Sequence, residues 1–431
     1  MRKKDRVPNG WKSLKLEELL TQGVRNGYSP NCPEEPNGSW VLCLANLTEN
    51  GLDPSQAKPA PLDDNKTKDF LLRPGDFLIS RSNTLDKVGR VALFRGEIEN
   101  CSYPDLIMRF RVDETRVANE YLEDFLKSPT VRRHIQSCAS GTSGSMVKIS
   151  KKVVEKIPII LPSLPEQKAI ADLLSTWDEA IEKTERLIQA KVKRFQWLLR
   201  TLISEPQNTL NTQKADLERS GQSVPCIPWL EKEPQNTLNT QKNKAWEKVR
   251  LGKICNVTKG KQLNVVHMNE AGAYYALNGG MEPSGRTDNW NTEAETITIS
   301  EGGNSCGYVN YNKERFWSGG HCYSLLNLKS GTSKHYLYFY LKMNEPKLMR
   351  LRVGSGLPNI QKKDVDSFVV VLPSLAEQER IADTLSVAQH EIDLLKQLSN
   401  KFKTQKRGLM QKLLTGEWRI KPEIINQHKE V

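Results

Sequence analysis

Apolar or tolerated residues recur in alternating steps of three and four at Leu174, Trp177, Ile181, Thr184, Ile188, Lys191, Phe195, Leu198 and Leu202. Moving 211 positions along the chain gives a second run: Leu385, Ala388, Ile392, Leu395, Ser399, Phe402, Lys406, Leu409 and Leu413. Such steps lay one narrow apolar stripe along an α-helix. Each run predicts a helix of about 38 residues, roughly 57 Å long at 1.5 Å per residue. A stripe this narrow cannot hold a helix alone in water. The economical solution is an intramolecular coiled coil in which the two helices pack on each other. The polar entries are partly complementary, since Lys191 shares its place in the repeat with Phe402, and Phe195 with Lys406.

The entry to each helix is also stated twice. LPSLPEQKAIADLLS (161–175) returns as LPSLAEQERIADTLS (372–386), with eleven of fifteen positions identical. Both contain S-x-x-E, at Ser163/Glu166 and Ser374/Glu377, which predicts a capping box at the first turn. Gly416 is placed to close the second helix.

Ahead of each helix lies a mixed stretch of short strands and turns, which makes the class α+β. Both stretches open on a Trp, in GWKSLKLEEL (10–19) and AWEKVRLGKI (245–254). Both then carry a strand and a glycine-containing loop, GDFLISRSNTLDKVGRVALF (75–94) and ETITISEGGNSCGYV (295–309). YLEDFLK (121–127) and YLYFYLK (336–342) each predict one short helix. Between these markers the sequences diverge, as expected of two binding modules whose loops read different things. The connector 205–245 has no helical period and holds EPQNTLNTQK twice, at 205–214 and 233–242. It reads as a tolerant linker holding a recent duplication, the alternative being that it sets the reach between the halves.

Charge adds a partner to this picture. The net charge is +12. The excess falls in two regions, with 25 basic against 21 acidic residues in 1–164 and 16 against 11 in 246–376. That distribution suits a polyanion touched at two places. Chemistry subtracts from it. The sequence has no P-loop, no N-P-P-[FY] run and no strand–G-x-G-x-x-G–helix, and its six histidines are scattered. Its eight cysteines form no C-x-x-C pair, which reads as thiols in a reducing cytoplasm. No metal site, signal peptide or membrane span is expected.

Base readout needs Arg, Lys, Asn or Gln, and phosphates take Lys, Arg, Ser or Thr. In the first region the candidates are Arg81, Asn83, Lys87 and Arg90 on one loop, then Lys148, Lys151 and Lys152 after a glycine-rich turn. In the second they are Lys259, Lys261, Gln262 and Arg286, then Asn304 and Ser305 in the loop matching Arg81–Asn83, and finally Asn359, Gln361, Lys362 and Lys363. Lys151-Lys152 and Lys362-Lys363 recur at corresponding positions, which favours phosphate contact there.

The paired LPSLPEQ and LPSLAEQ motifs, the long helices and the ending LLTGEWRI resemble the DNA-specificity (S) subunits of type I restriction-modification systems, over nearly the whole chain. The resemblance implies target-recognition domains at 1–160 and 246–371. It places conserved helices at 161–204 and 372–420, the linker at 205–245 and a tail at 421–431. The helices would run antiparallel with pseudo-two-fold symmetry and hold the two recognition domains apart. Each domain would read one half of a bipartite, asymmetric site in double-stranded DNA. The helices would dock two modification (methyltransferase) and two restriction subunits, and those partners would bind S-adenosylmethionine, ATP and Mg. This chain would then be non-catalytic. The competing readings are a coiled-coil assembly scaffold with only non-specific DNA affinity, and a fused enzyme, which the missing motifs disfavour.

Overall fold

The computed structural model describes residues 7–143, 146–204, 246–354 and 358–428. The connector with its duplicated EPQNTLNTQK, and the proposal that it sets a reach, lie outside these residues. The chain forms two compact units, one of Met1–Glu185 with Gln397–Val431 and one of Arg186–Lys396.

In the first unit, β1 (Leu20–Asn26), β2 (Asp76–Ser80), β3 (Val91–Phe94) and β4 (Ile107–Val112) form an antiparallel sheet in the order β1-β4-β2-β3. β2 is buried along its whole length, which explains its nearly continuous apolar run DFLIS. Helix α1 (Asn119–Lys127) buries Tyr121, Leu122, Phe125 and Leu126 in the same core. Each such side chain contributes about 1.5–3 kcal/mol through burial. Lys12–Lys15 pairs antiparallel with Pro158–Leu161, the strand that feeds the first long helix.

The second unit repeats this order. Its strands β5 (Asn256–Lys259), β6 (Thr296–Ser300), β7 (Val309–Asn312) and β8 (Cys322–Leu326) run β5-β8-β6-β7, all antiparallel. Helix α2 (Lys334–Met343) packs into its core, and Glu247–Arg250 pairs with Val369–Leu372. The two short predicted helices and both strand-before-helix pairs are therefore present.

The long helices span Leu164–Ile203 and Leu375–Leu414, 40 residues each. All eighteen seam positions, among them Leu174, Ile181, Ile188, Leu198, Leu385, Ile392, Leu395, Leu409 and Leu413, are buried or half-buried. In the first unit, Trp177 meets Phe402 edge-on with ring centroids 5.9 Å apart. There Lys406 Nζ reaches Asp178 at 2.6 Å and Lys403 reaches Glu185 at 2.6 Å. Rising numbers on one helix meet falling numbers on the other, so the segments in this unit are antiparallel. In the second unit, Lys191 reaches Glu391 at 2.6 Å, and Phe195 lies edge-on to Phe339 of α2. The two lysines in the seam are thus tolerated because each ends on a carboxylate. Among the described residues no helix is long and apolar enough to cross a membrane.

The first capping box is corrected. Glu166 does not turn back to Ser163. Its carboxylate is buried and takes two bonds from Arg419, at 2.7 and 3.0 Å, and one from the Trp11 indole at 3.2 Å. A bidentate guanidinium is a stronger partner than one backbone N–H. At the second helix half of the box survives, with Ser374 Oγ accepting from the Glu377 N–H at 3.4 Å. Gly416 does end the second helix, at φ +69°, donating to Leu413 O.

The neighbouring glutamine of the motif does more. Gln167 is fully buried; its carbonyl accepts from Ala118 N at 2.8 Å, and its amide donates to Arg116 O and Pro162 O. Gln378 repeats the pattern with Ser333 N at 2.9 Å, Gly331 O and Pro373 O. Tyr121 and Tyr336 make a second matching pair, donating to Ile160 O and Val371 O. In each unit one Gln fastens the start of a long helix to the start of the short helix and to the strand end.

Asp124 on α1 carries a cost. Burial pushes its carboxyl up to about 6, against the pull of Lys406 at 3.8 Å and Lys127, and with Asp178 and Glu123 adding repulsion. The group lies beside a cleft of about 490 Å³, whose lining cations Arg90, Lys403 and Lys406 already face Glu49, Glu185 and Asp178. A raised carboxyl favours the fold most below its unfolded value near 4, and that advantage is lost as pH rises through 6. Asp124→Asn is therefore expected to raise first-unit stability by roughly 2–3 kcal/mol at pH 8 and by about half as much at pH 5. Denaturation midpoints at the two pH values check this; equal gains at both would contradict it.

Candidate nucleic-acid interface

Most of the candidate residues sit on loops and short-helix starts that meet at one end of each sheet, whereas Lys259 lies within β5 and Arg286 on the strand Gly285–Thr287 of a separate sheet. Backbone bonds show how closely the two units correspond there. At the end of β2, Ser80 N donates to Arg90 O and Gly89 N to Ser80 O; at the end of β6, Ser300 N donates to Tyr308 O and Gly307 N to Ser300 O. One residue on, Arg81 N donates to Leu106 O while Arg81 O accepts from Ile149 N at 2.9 Å. Glu301 N likewise donates to His321 O while Glu301 O accepts from Ile360 N at 2.8 Å.

Arg81 and Glu301 therefore occupy the same place in the backbone. The expected match of Asn304–Ser305 with Arg81–Asn83 holds for the loop, but the residue equivalent to Arg81 is an acid. The Arg81 guanidinium has no partner among the described residues and is half-buried at the loop base. Glu301 is buried and accepts from Lys259 at 2.7 Å and from the Tyr323 hydroxyl at 2.9 Å. Burial, and then that bond to Glu301, push the Tyr323 hydroxyl up.

The strand before each loop cluster ends alike as well. Gly27 N donates to Ile107 O, and Gly260 N to Cys322 O. A Cβ would fall 2.2 Å from Tyr103 O at Gly27 and 2.3 Å from Gly319 O at Gly260, so only glycine fits either place. Tyr28 and Lys261 follow in equivalent positions, donating their N–H groups to Tyr103 O and Ser318 O.

The loops bring the candidates together within each unit. In the first, Asn83 pairs with Val147 and Ser82 with Lys148, and Lys151 and Lys152 open the short helix Lys151–Glu155. Lys87, Lys148, Lys151 and Lys152 are exposed. Arg90 is committed elsewhere, to Leu47 O and to Glu49 at 3.4 Å. In the second unit, Gly303 N donates to Pro358 O, which joins the Asn304–Ser305 loop to Asn359. Lys362 and Lys363 open the short helix Lys362–Ser367, as Lys151 and Lys152 do in the first. Lys261, Gln262, Asn304, Asn359 and Gln361 are exposed, while Ser305 donates to Gly279 O. Lys259 is held by Glu301, and Arg286 is spent on Gly272 O and Ala273 O.

Some contributors were not visible in the sequence. Arg132 and Gln136, on the helix Pro129–Ser137, brace the loop after β2 by donating to Val88 O at 2.5 Å, Asp86 O at 2.9 Å and Leu85 O at 3.1 Å. Tyr28, under Lys66 at 4.3 Å, adds an aromatic face. The glycine before Tyr28 at a strand end was the one local signal. Among the described residues there is no group of three or more His, Cys, Asp or Glu that could hold a metal ion.

A model of the type I restriction modification DNA specificity domain matches residues 8–193 and 243–404. A protein of Methanocaldococcus jannaschii named as the type I restriction enzyme MjaX specificity subunit is 23% identical over 433 residues, covering 96% of this chain and 95% of its own. The type I restriction enzyme EcoKI specificity subunit of Escherichia coli K12 is 29% identical over 190 residues, 43% of this chain and 40% of its own. Among solved structures, the type I restriction-modification S subunit from M. genitalium superposes with a TM-score of 0.61 at 18% identity, over 95% of this chain and 97% of that one. That likeness concerns the fold. With the family model spanning both units, the chain belongs to the type I restriction-modification DNA-specificity family.

Proposed function

We propose that this chain reads a bipartite, asymmetric target in double-stranded DNA, one unit per half-site, and docks the modification and restriction subunits that act there. The observation that carries this is the Arg81/Glu301 correspondence: one backbone frame, used twice, holds an arginine with no partner among the described residues in one unit and a buried glutamate paired with Lys259 in the other. Unlike groups on like frames suit unlike half-sites. Lys148, Lys151, Lys152, Lys362 and Lys363 serve as phosphate contacts, and Asn83, Asn304 and Gln361 as groups within reach of base edges. The chain itself is non-catalytic. S-adenosylmethionine, ATP and Mg are bound by the partners, two modification and two restriction subunits, and the complex acts in the cytoplasm.

The test combines the purified chain with a modification subunit. The chain alone is expected to transfer no methyl group to duplex DNA, and the pair to methylate adenine at one target. Binding should weaken steeply with salt, because Lys and Arg displace condensed counterions. Sequence-independent binding with no change in methylation would favour the scaffold reading instead.

A further inference from the structure

The second unit carries an apolar tip among its polar candidates. Met281 is 60% exposed in the turn that joins the antiparallel strands Tyr274–Leu277 and Gly285–Thr287. The turn is fastened on both sides. Ser284 donates to Ala276 O through its N–H at 2.9 Å and its hydroxyl at 3.1 Å. Asn278 Oδ1 accepts from His321 N at 3.2 Å. Gly279 O accepts from the hydroxyls of both Ser300 and Ser305, the latter at 2.6 Å. Ser300 ends β6 and Ser305 belongs to the loop with Asn304, so the Met281 turn is stapled to that candidate contact loop.

We propose that Met281 reads the 5-methyl group of a thymine in the half-site taken by this unit. The methyl is the one apolar feature that a base pair shows in the major groove. A thioether chain adapts its shape to such a small target. One side chain flanked by the half-buried Asn278 and the exposed, polar Glu282 and Asn304 is too small an apolar area for a stable protein interface. The Glu282 carboxylate beside it disfavours a phosphate and leaves the base edges. Because the turn is already fixed by its hydrogen bonds, little ordering cost remains on contact. The inference rests on the one-unit-per-half-site reading.

The test uses the full-length chain in complex with its modification subunits, on duplexes bearing the target located by methylated-adenine mapping. Each thymine of this unit's half-site is replaced singly by deoxyuridine, which removes only the methyl. One replacement is expected to weaken wild-type binding about 3–5-fold, the worth of one buried methyl group, and to leave Met281→Ala unaffected. Met281→Ala should lose a similar factor on the thymine duplex. Equal deoxyuridine losses in both proteins, no loss at any position, or a half-site made only of G·C pairs would overturn the proposal. Equal weakening of thymine and deoxyuridine duplexes by Met281→Ala would mark a wedge between bases, and would overturn it too. In each of these cases the wild type still discriminates the half-site. If the one-unit-per-half-site reading itself fails, that discrimination is absent.

Discussion

Replacing Gln167 by Leu is expected to cost the first unit about 2–5 kcal/mol, and Gln378→Leu somewhat less in the second. Leu fills the volume but supplies neither the acceptor nor the donors. Ala118 N and Pro162 O are then left buried without partners, and Arg116 O loses one at the margin. Around Gln378 only the bond to Pro373 O is fully buried, while Ser333 N and Gly331 O keep some access to water. Gln167→Glu should cost at least as much at neutral pH, because the carboxylate keeps the acceptor for Ala118 N but sets a buried charge against Arg116 O and Pro162 O. Amide hydrogen exchange reads the effect by unit. Gln167→Leu should speed exchange in Ile107–Val112, and Gln378→Leu in Cys322–Leu326. Uniform acceleration in both units from either change would contradict the account of one clasp per unit.

The second large effect concerns recognition. Arg81→Ala is expected to weaken discrimination in one half-site by about 1–3 kcal/mol, roughly 5–150-fold, and to leave the other half unchanged. Arg81 has no partner among the described residues, so its loss leaves no stranded charge and the fold should tolerate it. Arg90→Ala differs, because that side chain is tied to Leu47 O and Glu49; it should reduce stability before it alters specificity. Binding to duplexes with single changes in each half separates the cases. Equal relaxation of both halves by Arg81→Ala would sink the division of labour. The half that stays intact belongs to the second unit.

Which features were legible in the sequence follows from how local their causes are. The long helices were visible because the three-and-four stepping at Leu174 through Leu202, and at Leu385 through Leu413, is itself the contact surface. Glu166 was misjudged because its partner Arg419 lies 253 positions away, whereas a capping box is judged within four residues. Gln167 and Gln378 stood in plain view in the repeated motif. Their partners are backbone groups brought in from elsewhere, which no side-chain pattern reveals. The Arg81/Glu301 match was hidden by drift in the repeat, which is 211 at the glutamines, 215 at Tyr121 and Tyr336 and 220 at these two residues. Insertions in the loops cause that drift, so only backbone bonding restores the correspondence. Arg90, Lys259 and Arg286 looked like free cations because their acceptors come from other parts of the chain.

Mapping methylated adenines across the genome of cells with and without this protein tests the central claim most directly. The account predicts marks that appear only with the protein, at a target of two short, unlike sequences a constant number of base pairs apart. A single continuous or palindromic target, or an unchanged methylation pattern, would contradict it.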